Sequence, residues 1–413
     1  MSNNHVSTNL VRIVILGGGY AGVMAALRLA NRTRGESVKI TLVNGRDAFV
    51  ERTRLHEATV GNHPPAPSLS AMLGEAGVHF VQGWVKGLDL ARRTVQIDAI
   101  QADGASHPQA LAYDKLIYAL GSFTALSGLP GAAEYALPVE RHDAIASRLA
   151  QLPSGARVLV IGAGLTGLEV ATEIAERYPH LAVAMVTGSK VGQDLAPAGQ
   201  RYLRNALRKL GVEVHEQTRL ARLEDGMAIA TNGATLPFDL SIMSAGFAVS
   251  KLAQEVGLAV NGRGQVLVDP YLRSVSHPAI YAAGDAATME EGCPVTLRMA
   301  CATALPMAAH AAENVARTVR GMAEEPFRFG YFVRCISLGR RAALVQFVDA
   351  ADRPRRWVLT GRVGMWVKEN ILRWVMSSLH GEKRRATYMW PRLQSAAAPL
   401  RETQTGGLQQ AQG

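Results

Sequence analysis

"VRIVILGGGYAGVMAALRLA" (residues 11–30) is the stretch whose reading decides the fold. It reads as an apolar strand, a glycine turn and an amphipathic helix. The turn, Gly17-Gly18-Gly19-Tyr20-Ala21-Gly22, fits G-x-G-x-x-G. Gly17 permits the tight turn, Gly19 lets backbone approach a pyrophosphate, and Gly22 lets the helix pack closely on the strand. Phosphates then rest on the helix N-terminus. One such match is only a turn. The same pattern recurs 145 residues later in "ARVLVIGAGLTGLEVATEIAERY" (residues 156–178), with Gly162, Gly164 and Gly167 in the corresponding places. Two copies, each between a strand and a helix, point to a chain that binds two dinucleotides.

Further apolar strands surround these turns: "VKITLVNGRD" (38–47), "YDKLIYALGS" (113–122, closing on Gly121), "LAVAMVTGSK" (181–190), "FDLSIMSAGF" (238–247) and "HPAIYAAGDAA" (277–287, running into Gly284-Asp285). Residues 80–98 read as a β-hairpin excursion. Pro64, Pro65 and Pro67 mark a loop, and the Pro/Gly-rich residues 126–138 read as an interdomain connection. The alternation of strands and helices predicts an α/β chain with parallel sheets covered on both faces. Residues 327–349 turn β-like, and the polar, small-residue stretch 395–413 is expected to be disordered.

An acidic residue is expected about 20 positions beyond each turn, where it would bind a ribose. In the first copy Asn44 holds that place, able to bond ribose hydroxyls without charge assistance. The second copy ends Thr187-Gly188-Ser189-Lys190 with no carboxylate. A carboxylate would repel a 2′-phosphate and Lys190 would attract one, so NADH and NADPH both remain open.

At 413 residues the chain is long enough for two or three domains, and 48% hydrophobic with 19% charged residues is a globular composition. The polar start, "MSNNHVSTN", carries no apolar h-region, so no secretory signal is expected, and no run approaches the roughly 18 apolar residues of a spanning helix. The three cysteines, Cys293, Cys301 and Cys335, form no C-x-x-C pair. That predicts a reducing compartment, no disulfide redox centre and no Cys-ligated zinc, and the sequence motifs assign no metal ligand. The net charge of +10 is concentrated: residues 320–392 hold 15 Lys or Arg against 6 Asp or Glu. Such a patch implies an anionic partner surface, lipid headgroups or nucleic-acid phosphates.

Within that patch lies "GRVGMWVKENILRWVMSSLHGEKRR" (residues 361–385). Val363, Val367, Ile371, Trp374 and Met376 or Leu379 follow helical spacing, and Trp366 and Val375 widen the stripe. Arg362, Lys368, Arg373 and Lys383-Arg384-Arg385 flank it. Aromatic-rich apolar face and basic flank together describe a helix lying in a membrane interface. Burial against the rest of the chain or a partner subunit is the alternative, and a nucleic-acid arm, with fewer large aliphatics, is a weaker one.

Taken in order, the two glycine turns, "YDKLIYALGS", "DLSIMSAGF" and "IYAAGDAA" resemble the FAD-dependent pyridine nucleotide oxidoreductases. "ISLGRRAALVQF" (336–347), the basic helix and "RRATYMWPRL" (384–393) further resemble the type II NADH:quinone oxidoreductases. The resemblance implies two Rossmann-like domains and a C-terminal membrane-docking or interface region. The FAD-binding domain would take residues 1–122 and 241–325, the NAD(P)H-binding domain 123–240, the docking region 326–392 and a disordered tail 393–413. It further implies that the first turn (Gly17, Gly19, Tyr20, Ala21, Gly22), Asn44, Arg54, Gly121, Gly284 and Asp285 serve FAD, and that Gly162, Gly164 and Gly167 serve NADH or NADPH. Glu169 and His56 are the proton partners, Glu169 lying by the nicotinamide and flavin. Quinone is the implied electron acceptor, reduced without proton pumping by a cytoplasmic enzyme held on the inner face of the cell membrane, with a homodimer implied by resemblance alone. A soluble flavoenzyme serving a biosynthetic intermediate or oxygen is the second reading, and a flavin-bound nucleic-acid scaffold the third. Two departures bear on the acceptor. Leu305-Pro306 stands where an Ala-Gln pair is expected at the quinone pocket, and residues 49–61 are more charged than in the family, with Glu51, Arg54, His56 and Glu57.

Overall fold

Val11–Leu16 lies at the heart of a seven-stranded sheet, as its unbroken apolar run requires of a strand covered on both faces. The computed structural model describes residues 10–101, 103–289 and 297–392. The sheet runs Ile280–Ala282, Lys115–Tyr118, Val11–Leu16, Val38–Asn44, His79–Asp89, Thr94–Ile100 and Ser106–Ala112; the first five strands are parallel, the expected hairpin pairs His79–Asp89 with Thr94–Ile100, and Ser106–Ala112 adds a further antiparallel strand. From Val11–Leu16 the chain passes to one side, at Val38–Asn44, and later returns on the other, at Lys115–Tyr118. Strand order therefore reverses at the carboxyl end of Val11–Leu16, where open α/β sheets bind ligands.

The second sheet is wholly parallel, in the order Glu213–His215, Ala182–Val186, Arg157–Ile161, Leu240–Met243, Ala136–Pro138. The stretch expected to be a plain connection thus supplies an edge strand, where Pro138 is tolerated because an edge leaves one row of N–H groups unpaired. Leu240–Met243 pairs with Arg157–Ile161, so the expected boundary after residue 240 falls inside a strand of this sheet. Ser122–Thr124 and Phe247–Val249 pair antiparallel where the chain leaves and re-enters the first domain.

Val333–Ser337, Ala343–Val348 and Pro354–Thr360 form an antiparallel sheet that leads into the 22-residue helix Gly361–Glu382. Gly364 lets that helix lie on the sheet, since a Cβ there would come within 2.5 Å of the Ala343 carbonyl oxygen. At the helix's far end Arg28, buried on helix Tyr20–Arg32, donates to both Glu382 carboxylate oxygens at 2.7 and 2.8 Å and to the Tyr388 carbonyl at 2.7 Å.

The helix corrects one part of the sequence reading. Met365, Lys368, Leu372, Val375, Leu379 and Glu382 face inward, whereas Val363, Trp366, Arg373 and Trp374 face solvent. Lys368 is therefore not a flanking cation, and Val375 and Leu379 belong to the core. Helical periodicity merged two stripes, because the inward face carries charges that are neutralised by distant partners. Among the described residues no helix is long and apolar enough to cross a membrane. Residues 1–9, Cys293 and the tail 393–413 lie outside the described residues.

Candidate active site

The first glycine turn owes its shape to close backbone approach. Gly17 has φ +103°, and a Cβ there would lie 2.3 Å from the Ala119 oxygen. A Cβ at Gly22 would lie 1.7 Å from the Gly17 oxygen, while one at Gly19 would meet nothing within 4 Å. The helix start at Gly19 has no side-chain cap, so its first N–H groups face open space. Those are the requirements of a bound pyrophosphate. Asn44 accepts from the Gly18 N–H at 2.9 Å and donates to the Arg46 carbonyl at 2.8 Å. It braces the turn, a double role that a carboxylate, having no donor, could not play.

Other predicted cofactor residues converge there. Tyr20 bonds Thr53 at 2.9 Å and sets its ring edge-on to Phe49. Gly284, with φ +74°, sits so close to Ala21 that a Cβ would approach it to 3.1 Å. Asp285 follows, and Ser122, next to Gly121, donates to it at 2.6 Å. Burial raises the Asp285 carboxyl above its usual range, opposed by Ser122 and Arg52. Arg54 is placed differently. Its guanidinium donates to Glu57 at 2.7 Å and to Glu369 on the C-terminal helix at 2.6 Å, and Glu51 lies 3.3 Å away. This arginine knits the loop to the helix.

The second turn repeats the first: Gly162 has φ +108°, a Cβ at Gly167 would lie 2.0 Å from the Gly162 oxygen, and one at Gly164 would meet nothing within 4 Å. It borders a cleft of about 640 Å³ between the second domain and the C-terminal sheet. Lys190, Arg298, Arg334 and Arg353 line it against Asp194 and Asp352. Asp352 is shared by Arg298 at 2.8 Å and Arg334 at 2.7 Å.

Glu169 and His56, far apart in sequence, do meet. Glu169, on helix Leu165–Arg177, accepts from the Ser337 N–H at 3.0 Å and from the buried Lys368 ammonium, which also donates to Ser337 Oγ. Its second oxygen lies 3.7 Å from His56 Nδ1. His56 is buried, its Nε2 has no hydrogen-bond partner, and its pKa falls well below the usual range through burial and then the charges of Lys368, Arg340 and Arg54. The imidazole is therefore neutral. One turn further along the Glu169 helix, both Glu173 oxygens are buried without hydrogen-bond partners, and burial pushes its carboxyl to about 7, opposed by Arg340. Burial likewise raises the Cys301 thiol to about 11, the behaviour of a core residue rather than a reactive thiolate.

Sequence reasoning missed Lys368, Glu173 and Arg340. Only Glu173 left a signal, its i,i+4 spacing from Glu169 on one helix face.

Residues 11–316 match the pyridine nucleotide-disulphide oxidoreductase family. An NADH dehydrogenase-like protein of Mycobacterium tuberculosis is 30% identical over 360 residues, covering 81% of this chain and 87% of its own. A type II NADH:quinone oxidoreductase of Staphylococcus epidermidis is 27% identical over 77% of this chain and 85% of its own. In fold, the chain resembles NDH2 of Plasmodium falciparum in complex with NADH, with a TM-score of 0.73 over 93% of this chain and 100% of that one at 14% identity. The resemblance read from the motifs holds. With both glycine turns, the cleft and the matched span in agreement, the chain belongs to the pyridine nucleotide-disulphide oxidoreductase family, and is an oxidoreductase similar to the type II NADH:quinone oxidoreductases.

Proposed function

We propose that this chain carries reducing equivalents from NAD(P)H to a quinone, using FAD, while resting on a membrane surface. The observation that carries the reading is the Glu169 cluster, built where the second domain, the His56 loop and the C-terminal helix meet. The first turn fits FAD, whose pyrophosphate would lie along Gly19, Tyr20, Ala21 and Gly22, with Asp285 and Gly121 alongside. Bound there, FAD supplies the two-electron redox chemistry that no side chain offers. Gly162, Gly164 and Gly167 would seat NAD(P)H in the adjoining cleft.

The chain's own contribution is positioning and proton handling. Lys368 and Ser337 fix the Glu169 carboxylate, leaving one oxygen directed at His56. Neutral His56 can hold a proton on one ring nitrogen and accept at the other, moving it by tautomer exchange without placing a charge in a buried site. Quinone reduction consumes protons, and such a relay supplies them while the surrounding packing excludes water.

Two observations bear on the acceptor. The charges of the His56 loop are satisfied by one another and by Glu369 and Arg340, so they do not furnish a free ionic pocket, which favours an apolar acceptor. Against this, Leu305 and Pro306 are buried in helix Cys301–Val319, where an amide able to bond a quinone carbonyl was expected. That supports the second reading, a soluble acceptor or oxygen. The nucleic-acid reading loses ground because Lys368 is buried and Arg334 and Arg340 are ion-paired.

The membrane part rests on Trp366, 67% exposed, Trp374, 50% exposed, and the exposed Val363 and Met389, beside the exposed Arg362, Arg373, Arg384 and Arg385. The test is anaerobic: reduce the flavin with NADH or NADPH, then add a short-chain quinone or, separately, oxygen. Rapid reoxidation by quinone is the expected result, and reoxidation by oxygen alone would overturn the acceptor. In sedimentation with anionic vesicles, Trp366→Asp should reduce binding about tenfold or more, since it replaces an aromatic that would enter the lipid interface with a charge of the same sign as the headgroups.

A further inference from the structure

We infer that His63, His142 and Asp143 form a binding site for a zinc-class divalent metal ion, which ties the loop behind His56 to helix His142–Leu149, packed in the core of the second sheet. The inference stands on these residues alone and does not depend on the electron acceptor.

His63 lies in the loop after helix Leu55–Ala58 and is followed by Pro64 and Pro65, which restrict the backbone on its far side. His142 opens helix His142–Leu149, and Asp143 stands in its first turn. The Nδ1 of His63 is 3.6 Å from Asp143 Oδ1, and the Nδ1 of His142 is 3.1 Å from the same oxygen. One donor atom from each of the three falls within 4.8 Å of the others. A tetrahedral ion with bonds of about 2.0–2.1 Å spaces its donors roughly 3.3 Å apart. Two of the three separations therefore already bracket the required edge. The third closes by rotation of His63, whose side chain is 53% exposed and unhindered by a packed core.

The donor chemistry narrows the ion. Two imidazole nitrogens and one carboxylate oxygen suit zinc, cobalt or nickel, whereas magnesium and calcium take sets of oxygen ligands. The carboxylate offsets part of the ion's charge, and water completes the coordination. An ordinary surface ion pair would need only the neighbouring His142 and Asp143. His63, brought in from the loop, makes it a chelate that crosses between two segments.

Those segments matter to the active site. Helix Leu55–Ala58 carries His56 and Glu57 and packs against helix His142–Leu149. Glu140, just before His142, accepts from the Thr124 N–H at 3.1 Å and from Arg52 at 3.0 Å. An ion at the site would clamp the His56 loop to this junction and, binding only the folded chain, raise its stability.

The experiment is calorimetric titration of Zn²⁺ into the full, tag-free flavoprotein, with thermal melts in parallel. One ion per chain and a higher melting temperature are expected. His63→Ala and Asp143→Asn should each weaken binding by at least about tenfold and cancel the gain in melting temperature. Without metal, both variants should melt like the parent, because these side chains are exposed. His107→Ala, at an exposed histidine on a separate strand, should bind as the parent does. Co²⁺ should give visible d–d absorption in the parent that is lost in His63→Ala. Absence of saturable binding, or binding that survives both His63→Ala and Asp143→Asn, would overturn the site.

Discussion

Lys368, buried on the C-terminal helix, donates to the carboxylate of Glu169, which stands 199 residues earlier on the helix of the second glycine turn. The pair joins the C-terminal helix to the helix that follows the second glycine turn, beside His56. Breaking a buried pair by removing one partner strands the other charge, at a cost of about 3–5 kcal/mol, whereas replacing both is far milder. Lys368→Met should therefore be strongly destabilising in denaturant unfolding, and adding Glu169→Gln should restore most of the loss. Additive losses in the double variant would show that the two residues do not act as a pair.

Glu173 predicts a pH dependence. Its carboxyl titrates at about 7 in the folded chain, against 4.5 for the unperturbed group. The folded chain therefore retains a proton that the unfolded chain has released. The stability from this group is complete below the unfolded value and is lost as pH rises through about 7. Relative to the parent, Glu173→Gln should gain stability between about pH 5 and pH 8, by on the order of 3 kcal/mol. Melting curves across that range check it, and a constant gap between the two proteins would contradict the assignment.

The glycines of the first turn should separate folding from cofactor binding. A Cβ at Gly22 would sit 1.7 Å from the Gly17 oxygen, so Gly22→Ala should cost more than about 3 kcal/mol or prevent folding. At Gly19 a Cβ meets nothing and φ is −81°, so Gly19→Ala should fold normally. Its methyl would occupy the space a pyrophosphate needs, and the purified protein should carry less flavin. Flavin absorbance against protein concentration reads this directly.

Lys190 should set the choice between nicotinamides. It lines the cleft at the end of strand Ala182–Val186, and Thr187, Gly188 and Ser189 beside it present no carboxylate. A hydrogen bond to a charged group contributes about 1.5–3 kcal/mol. Lys190→Glu should then lower kcat/KM for NADPH by roughly tenfold or more while that for NADH changes little. An equal loss for both would assign Lys190 to the shared pyrophosphate rather than to a 2′-phosphate.

The sequence by itself determined the strand, turn and helix units of the two Rossmann-like sheets and their glycine turns. Such features are local: a turn that must pass Ala119 at contact distance admits only glycine, and a doubly covered strand must be apolar along its length. Tertiary structure alone decided which face of Gly361–Glu382 looks inward, because periodicity marks an apolar stripe without saying what covers it. It alone brought Lys368 to Glu169, turned Arg54 toward Glu369, and set His63 beside Asp143. Charges pair according to which surfaces meet in space, and that meeting leaves no spacing along the chain to read.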